Sequence, residues 1–336
     1  MAPQTLSLDE VSSIIEADFG AAARELLHTM RSTPVAVGAA AQVHRATLSD
    51  GTTVAIKVRR SEGAGDFALA AQWQERIWWL FAGHGSVVVP ALKRAWCSAR
   101  VVTSEFISGA TLEEWLATRP NDEARNRAGE ALFDFYVGMA FEHGLYFGEV
   151  DPGNQLFWPD GRVAFVSFAG AREARAGCME RLAALTHTVW GGGGDEVVRA
   201  LYGPMLRDEV AAFDPPSPEL LGRIRAAELR ETAPVALALA TLMAQIGARA
   251  NFRRRLDALL SGYAQPAFDV VLVDPGDSAI TMARALLDAT GLPLREIEVM
   301  IKRSPQTIKQ AVPRAEAEAL RVRLEQAGAR VEIKLV

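Results

Sequence analysis

Between Leu145 and Gly170 the chain reads "LYFGEVDPGNQLFWPDGRVAFVSFAG". Two carboxylates and an asparagine around a Pro-Gly turn, followed by a hairpin pattern, have the outline of a phosphoryl-transfer centre. That chemistry is mostly positioning and electrostatics. It needs a cation on the phosphates, groups that hold metal ions, and a carboxylate aligning the acceptor hydroxyl. Upstream, Lys57 in "VAIKV" is a cation flanked by apolar residues. A solvated strand lysine is the plainer alternative. Several other side chains are not those the chemistry asks for, so the sequence raises the question of a shape kept and a reaction dropped.

Local patterns define the elements that must position these groups. Residues 7–31 read as helices, with Ser7 and Glu10 spaced as a capping box. "AQVHRATLSDGTTVAIKVRR" gives two strand-like runs around an Asp50-Gly51 turn. Residues 66–82 are predicted helical, "VVVPALKRAWCSARVVTSEFISG" extended, and Thr111 to His143 helical with Thr111 and Glu114 at the start. Residues 155–168 form a second hairpin turned at Pro159-Asp160-Gly161, and helices then run to Gly262, broken at Gly191–Gly194 and from Asp214. Past Tyr263–Pro266 the pattern resets to β-α-α-β-α-β over residues 267–336.

The 336 residues suffice for two domains, and 49% apolar with 23% charged residues marks ordinary globular composition. A net charge of −5 supplies no global attraction to nucleic acid or anionic lipid. Cys97 and Cys178 form no CxxC pair and the five histidines lack metal-ligand spacing, so neither a structural disulfide nor a zinc site is expected. "MAPQTLSLDEVSS" has no signal-peptide pattern, and the apolar run from Pro234 falls short of the roughly 20 residues that span a bilayer. The expectation is a cytoplasmic protein with a buried helix at that run and no transmembrane segment.

"PVAVGAAAQVHRATLSDGTTVAIKVRR" resembles the UbiB/AarF family of atypical kinases, associated with quinone biosynthesis. The similarity continues through "GDFALAAQWQERIWWLF", "VVVPALKRAWCSARVVTSEFISG" and "FGEVDPGNQLFWPDGRVAFVSFAG". The resemblance implies an α+β, two-lobed protein-kinase-like fold over residues 1–262, with a small lobe to about residue 108 and a helical lobe from 109. It places Lys57 on the phosphates and the loop Ala36, Val37, Gly38 and Ala39 over them. Glu105 and Ser167 join the cofactor-binding set, and Asn154 is the metal-binding asparagine. Gly38 stands where the family has alanine; it allows close backbone approach to phosphates, or it is simply a turn glycine.

The departures concentrate on the chemistry. Laid without gaps on the family's "HADPHPGN", "FGEVDPGN" puts Glu149 at the catalytic aspartate and Asp151 at the second histidine. Taking Asp151 as the acid instead shortens the loop by two residues. The family's "DFG" becomes Ser167-Phe168-Ala169, and a neutral hydroxyl is a poor magnesium ligand. The helix glutamate that pairs with the lysine maps onto Ala70, an earlier acid of that stretch onto Ala64, and only Asp66 survives; Glu75, one helical turn and a residue beyond Ala70, could reach toward Lys57 instead. Too few residues precede Ser7 for the family's KxGQ extension, and "RRSEGAG" replaces a long helical insert, which opens the cleft. ATP or another nucleotide is the implied ligand, with weak or absent use of magnesium.

"FDVVLVDPGDSAITMARALLDATGLPLREIE" and "AEALRVRLEQAGARVEIK" resemble the C-terminal domain of the bacterial ribosomal stalk protein. In that family the domain recruits translational GTPases through a basic, partly apolar helix face. Here Arg284 keeps one cation, while Ala279 and Leu287 replace a lysine and an arginine. Ten acidic and ten basic residues from Phe268 to Val336 leave no basic field, and Lys302 with Arg303 reads as a solvated helix end. The expectation is a protein-docking domain with an altered partner, a purely structural cap and genuine elongation-factor binding being the alternatives.

Three functions fit these residues. The first is a pseudokinase-type module binding nucleotide or a small molecule. The second is an altered phosphotransferase or ATPase using Lys57, Glu149 and Asn154. The third is a cleft repurposed for non-phosphoryl chemistry in specialised metabolism.

Overall fold

The computed structural model describes residues 5–60, 67–148, 150–175, 178–190, 211–212, 233–262, 267–276 and 278–335. The chain divides into two compact units: Met1–Arg175 with Arg207–Leu259, and Ala176–Leu206 with Leu260–Val336. Glu149, Ala64, Asp66, the breaks at Gly191–Gly194 and Asp214, and the joint at Tyr263–Pro266 lie outside the described residues.

In the first unit, helices α1 (Leu8–Phe19) and α2 (Ala23–Thr29) lead into strands β1 (Ala36–Val37), β2 (Ala41–Thr47) and β3 (Thr53–Arg59). Both bonds of the capping box between Ser7 and Glu10 are present. The β2–β3 hairpin runs from Thr47↔Thr53 to Ala41↔Arg59, turned at Gly51 with a φ of 85°. Helix α3 (Phe67–Leu80), β4 (Val87–Val88) and β5 (Val101–Glu105) follow, giving an antiparallel sheet ordered β1-β2-β3-β5.

Strict alternation of burial along β2 and β3 gives this sheet two faces. Val54, Ile56 and Val58 pack on Val11, Ile15, Ala23 and Leu26 of the first two helices. Val102 packs on Phe67 and Ala71 of α3 on the opposite side. Each such side chain, fully buried, contributes about 1.5–3 kcal/mol.

The stretch from Thr111 to His143 is helical, as its periodicity indicates, and is divided into several elements. Helix α4 (Leu112–Ala117) carries the expected capping box of Thr111 and Glu114, then Asn121 restarts the chain as α5 (Asp122–Phe133) by accepting from Ala124 N. A π-helical turn (Asp134–Gly138) connects to α6 (Met139–His143). Strands β6 (Leu145–Phe147), β7 (Gln155–Phe157), β8 (Val163–Phe165) and β9 (Ala171–Glu173) complete the region of the site. The β7–β8 hairpin turns at Gly161, where a Cβ would lie 2.2 Å from the carbonyl of Ala124. Strand β4 joins this hairpin in parallel, and β6 pairs with β9. After α7 (Cys178–Trp190) and β10 (Ala211–Ala212), the apolar run from Pro234 is helix α8 (Ala233–Ile246), with Leu239, Leu242 and Met243 buried; β11 (Arg249–Ala250) and α9 (Phe252–Leu260) follow.

The second unit realises the expected β-α-α-β-α-β order in β12 (Ala267–Asp274), α10 (Ala279–Thr290), α11 (Leu294–Lys302), β13 (Gln306–Pro313), α12 (Arg314–Gln326) and β14 (Arg330–Leu335). The sheet order is β13-β12-β14, all antiparallel. Phe268, Val270, Leu272, Met282, Leu286 and Ile297 belong to its core. Gly291 ends α10 in the left-handed conformation, as its position after the apolar periodicity predicts. Among the described residues no helix is long and apolar enough to cross a membrane.

Candidate functional site

Lys57 lies on the central strand β3, opposite Val43 on β2 and Val102 on β5. Because Ile56 and Val58 face the α1–α2 side, Lys57 projects from the α3 side. Its ammonium donates to the carbonyl of Val166. The residue as a whole is only partly covered, but burial of the ammonium pushes its pKa down to about 8.

The carboxylate within reach of Lys57 on sequence grounds, Glu75, is not its partner. Both Glu75 oxygens accept from Arg94, in the short helical turn Arg94–Trp96. A fork-shaped guanidinium on a partly exposed carboxylate satisfies both oxygens together, and a single buried ammonium cannot match that. Ala70 contributes no acid, so among the described residues Lys57 rests on a backbone carbonyl.

Val166 joins the two halves of the site. Its N–H donates to the carbonyl of Asn154 at 3.0 Å, and its carbonyl takes Lys57. The Asn154 side-chain amide in turn donates to Asp151 at 3.0 Å, while the other Asp151 oxygen accepts from Gly153 N at 2.9 Å. Lys57, Val166, Asn154 and Asp151 thus form one hydrogen-bonded series, and Ser167 is the next residue along the chain. Asp151 is the member that the alignment of motifs placed second to Glu149. The signal for it was the Asp-Pro-Gly run, in which the aspartate accepts from the backbone N–H two residues on, an Asx turn.

The loop Ala36-Val37-Gly38-Ala39 is exposed. Gly38 N donates to the Ala41 carbonyl at 2.8 Å, and the Gly38 carbonyl accepts from Arg60 Nη1 at 2.6 Å. A Cβ on Gly38 would meet only Ala41 O, at 3.8 Å, so the fold itself does not require glycine there. Glu105 ends β5 opposite Val54, with its carboxylate accepting from Ala91 N at 3.4 Å. No hydrogen bond joins Glu105 to the Lys57 series among the described residues.

"AQVHR" turns out to carry a buried clip. Leu6 N donates to Gln42 Oε1 at 2.9 Å and Gln42 Nε2 donates back to Leu6 O at 3.1 Å. His44 Nδ1 meets the Arg31 carbonyl at 2.8 Å, which requires a proton on Nδ1 and leaves Nε2 to accept from Gln42 at 2.9 Å. Gln42 and His44 are 1% and 0% exposed, and together they fasten both ends of the α1–α2 pair to β2.

The donor set does not suit the magnesium that a kinase site implies. Among the described residues it comprises the Asn154 amide, the Ser167 hydroxyl and one carboxylate whose oxygens are both engaged. Magnesium favours free carboxylate and phosphate oxygens in octahedral geometry. No group of three or more His, Cys, Asp or Glu side chains gathers among the described residues.

A seven-residue strand carrying a lysine, a helix against the sheet and an asparagine loop before a short hairpin define a protein-kinase-like domain. The model of the ABC1 atypical kinase-like domain matches residues 2–64 and 63–199, more than half of the sequence. The chain belongs to the ABC1 atypical kinase-like family. A solved structure described as "The complex structure of Rv3197-erythromycin from Mycobacterium tuberculosis" superposes with a TM-score of 0.63 at 19% identity, covering 78% of this chain and 85% of that one. That likeness concerns the fold.

Residues 268–334 match the ribosomal protein L7/L12 C-terminal domain. The large ribosomal subunit protein bL12 of Syntrophotalea carbinolica is 52% identical over 67 residues, 20% of this chain and 53% of that protein. Its counterpart from Shewanella amazonensis is 45% identical over 78 residues, 23% and 63% of the two chains. The chain therefore spans only about half to two thirds of the length of these relatives.

Proposed function

We propose that the first unit is a catalytically degenerate, pseudokinase-type module that binds a nucleotide or small molecule, and that residues 267–336 dock a protein partner in the cytoplasm. The observation that carries the first half is Lys57 itself. It is buried, cationic below pH about 8, and bonded to a main-chain carbonyl instead of a carboxylate. A cation in that state favours an anionic ligand, while Ser167 and the committed Asp151 leave little to hold magnesium. Calorimetric titration with ATP, with and without magnesium, tests this. Binding with less than a tenfold change on adding the metal is expected, and a larger gain overturns the reading.

The alternative reading is an altered phosphotransferase or ATPase using Lys57, Glu149 and Asn154. The Asp151 carboxylate on Asn154 favours it, because it shows that an acid is fixed beside the asparagine. Steady ATP turnover abolished by Glu149→Gln would establish this second reading.

For the tail, Ile280, Arg284 and Leu287 fall on one stripe of α10, at i, i+4 and i+7. Ile280 is 86% exposed and Leu287 43%. An exposed apolar stripe with a single arginine suits a protein partner more than an acidic field.

A further inference from the structure

The eight residues from Val166 to Glu173 are gripped by the small lobe at both ends. Val166 takes the ammonium of Lys57 from β3, and Glu173 pairs with Arg76 from α3. The same segment is fixed to the helical lobe. Strand β9 pairs with β6, Gly148 N donates to Gly170 O at 3.4 Å, and Phe168 is 3% exposed with its ring 6.4 Å from Phe147. With Ala70 supplying no acid and Glu75 held by Arg94, nothing on α3 pairs with Lys57 among the described residues.

We propose that the contacts Lys57–Val166 and Arg76–Glu173 form a two-point latch that holds β3 and α3 on this segment without any ligand. Beside the β4–β8 pairing, β3 and α3 are thus held to the helical lobe through this segment, instead of through a lysine–carboxylate pair and a nucleotide. The inference rests on the degenerate reading of the site. It adds a consequence: a phosphate that captures Lys57 must first free it from Val166, so a nucleotide competes with the closed state.

The two points differ in character. Arg76 and Glu173 are 46% and 62% exposed, so their pairing shifts an opening equilibrium by about fivefold at most and weakens with salt. The Lys57 end is buried and less screened.

Hydrogen exchange read by mass spectrometry on the full, nucleotide-free chain tests the latch. Arg76→Glu is expected to raise exchange of peptides covering 67–80 and 166–173 by about two- to fivefold. Adding Glu173→Arg should restore it, and residues 267–335 should not respond. Lys57→Met should loosen 166–170 more than Arg76→Glu does. Should Lys57→Met not fold, Arg76→Gln at its exposed position reads the second point alone. Exchange equal to wild type in both peptides, or a charge swap that fails to restore it, overturns the latch. All of this is read without nucleotide. A failed ATP titration would remove the ligand reading and leave the latch standing, and unchanged exchange would do the reverse.

Discussion

Lys57 and Val166 stand 109 residues apart in sequence, and the ammonium of the first lies on the carbonyl of the second. Val166 is also the residue whose N–H reaches Asn154, so the strand lysine and the asparagine loop meet through one peptide unit. A carbonyl dipole satisfies an ammonium without neutralising it. The charge stays available to a ligand, at the cost of a lowered pKa.

That lowered pKa fixes a pH dependence. The folded value of about 8 lies below the ordinary 10.5, so folding disfavours the protonated form. Considered alone, the group therefore destabilises the fold below pH about 8, and stability recovers as pH rises from about 8 toward 10.5. Ligand binding runs the other way. A polyphosphate binds best where Lys57 is charged, so its affinity should fall as pH is raised from 7 to 9. Lys57→Met should flatten that profile. Calorimetry in buffers of different ionisation enthalpy should also show proton uptake on binding near pH 8.

At Gly38 the fold and the ligand make opposite demands. A methyl there touches only Ala41 O at ordinary distance, so Gly38→Ala should leave the melting temperature unchanged. If phosphates approach this loop, the added methyl should weaken nucleotide binding by about tenfold or more. Thermal melting and titration of one variant separate these effects. A lowered melting temperature would show that the loop is packed more tightly than its surroundings indicate.

Local features were legible in the sequence because their hydrogen bonds close within a few residues. The capping boxes at Ser7 and Thr111 and the Asp50-Gly51 turn are of this kind. The order of the tail was legible for a related reason, since each element carries a complete apolar face. The partner of Lys57 was not, because a backbone acceptor has no sequence signature. The true partner of Glu75 was not legible either, since nothing near it in sequence announces Arg94, 19 residues on. The break at Asn121 does have a local signature, Pro120 followed by an asparagine cap in a polar run, which a reading of 111–143 as one helical region passes over.

Glu149 and Asp151 are separable by substitution. Asp151 holds Gly153 N and the Asn154 amide, so Asp151→Ala should release the loop and cost about 1 kcal/mol, the worth of a typical net hydrogen bond. Glu149→Gln removes charge at nearly constant shape. With a degenerate site it should leave both stability and nucleotide affinity in place. Urea denaturation and an ATPase assay on the two variants check this, and loss of turnover in Glu149→Gln alone would restore the enzyme reading.

The Gln42–His44 clip predicts a larger penalty far from the ligand. Gln42→Ala strands the Leu6 main-chain groups and the His44 Nε2 acceptor in a buried place. Leaving buried polar groups unpaired costs about 1–3 kcal/mol. Urea denaturation should show that loss, and hydrogen exchange should rise over residues 5–30 before the rest of the sheet. A variant as stable as wild type would mean that water replaces the amide.

The tail offers the most direct test of modularity. Phe268, Val270, Leu272, Met282, Leu286 and Ile297 close a core within β12, α10 and α11, and Gly276 approaches Gly328 so closely that a Cβ would lie 2.2 Å from its carbonyl. Such closure predicts that residues 267–336 fold alone and give dispersed amide signals by NMR. Collapsed signals would show that the tail depends on the first unit. Arg284 sits on the exposed stripe with Ile280 and Leu287, outside that core. Arg284→Glu should therefore keep the dispersed spectrum while weakening partner capture, and nucleotide binding by the first unit should not change. Loss of dispersion in that variant would place Arg284 in the fold of the tail instead of on its docking face.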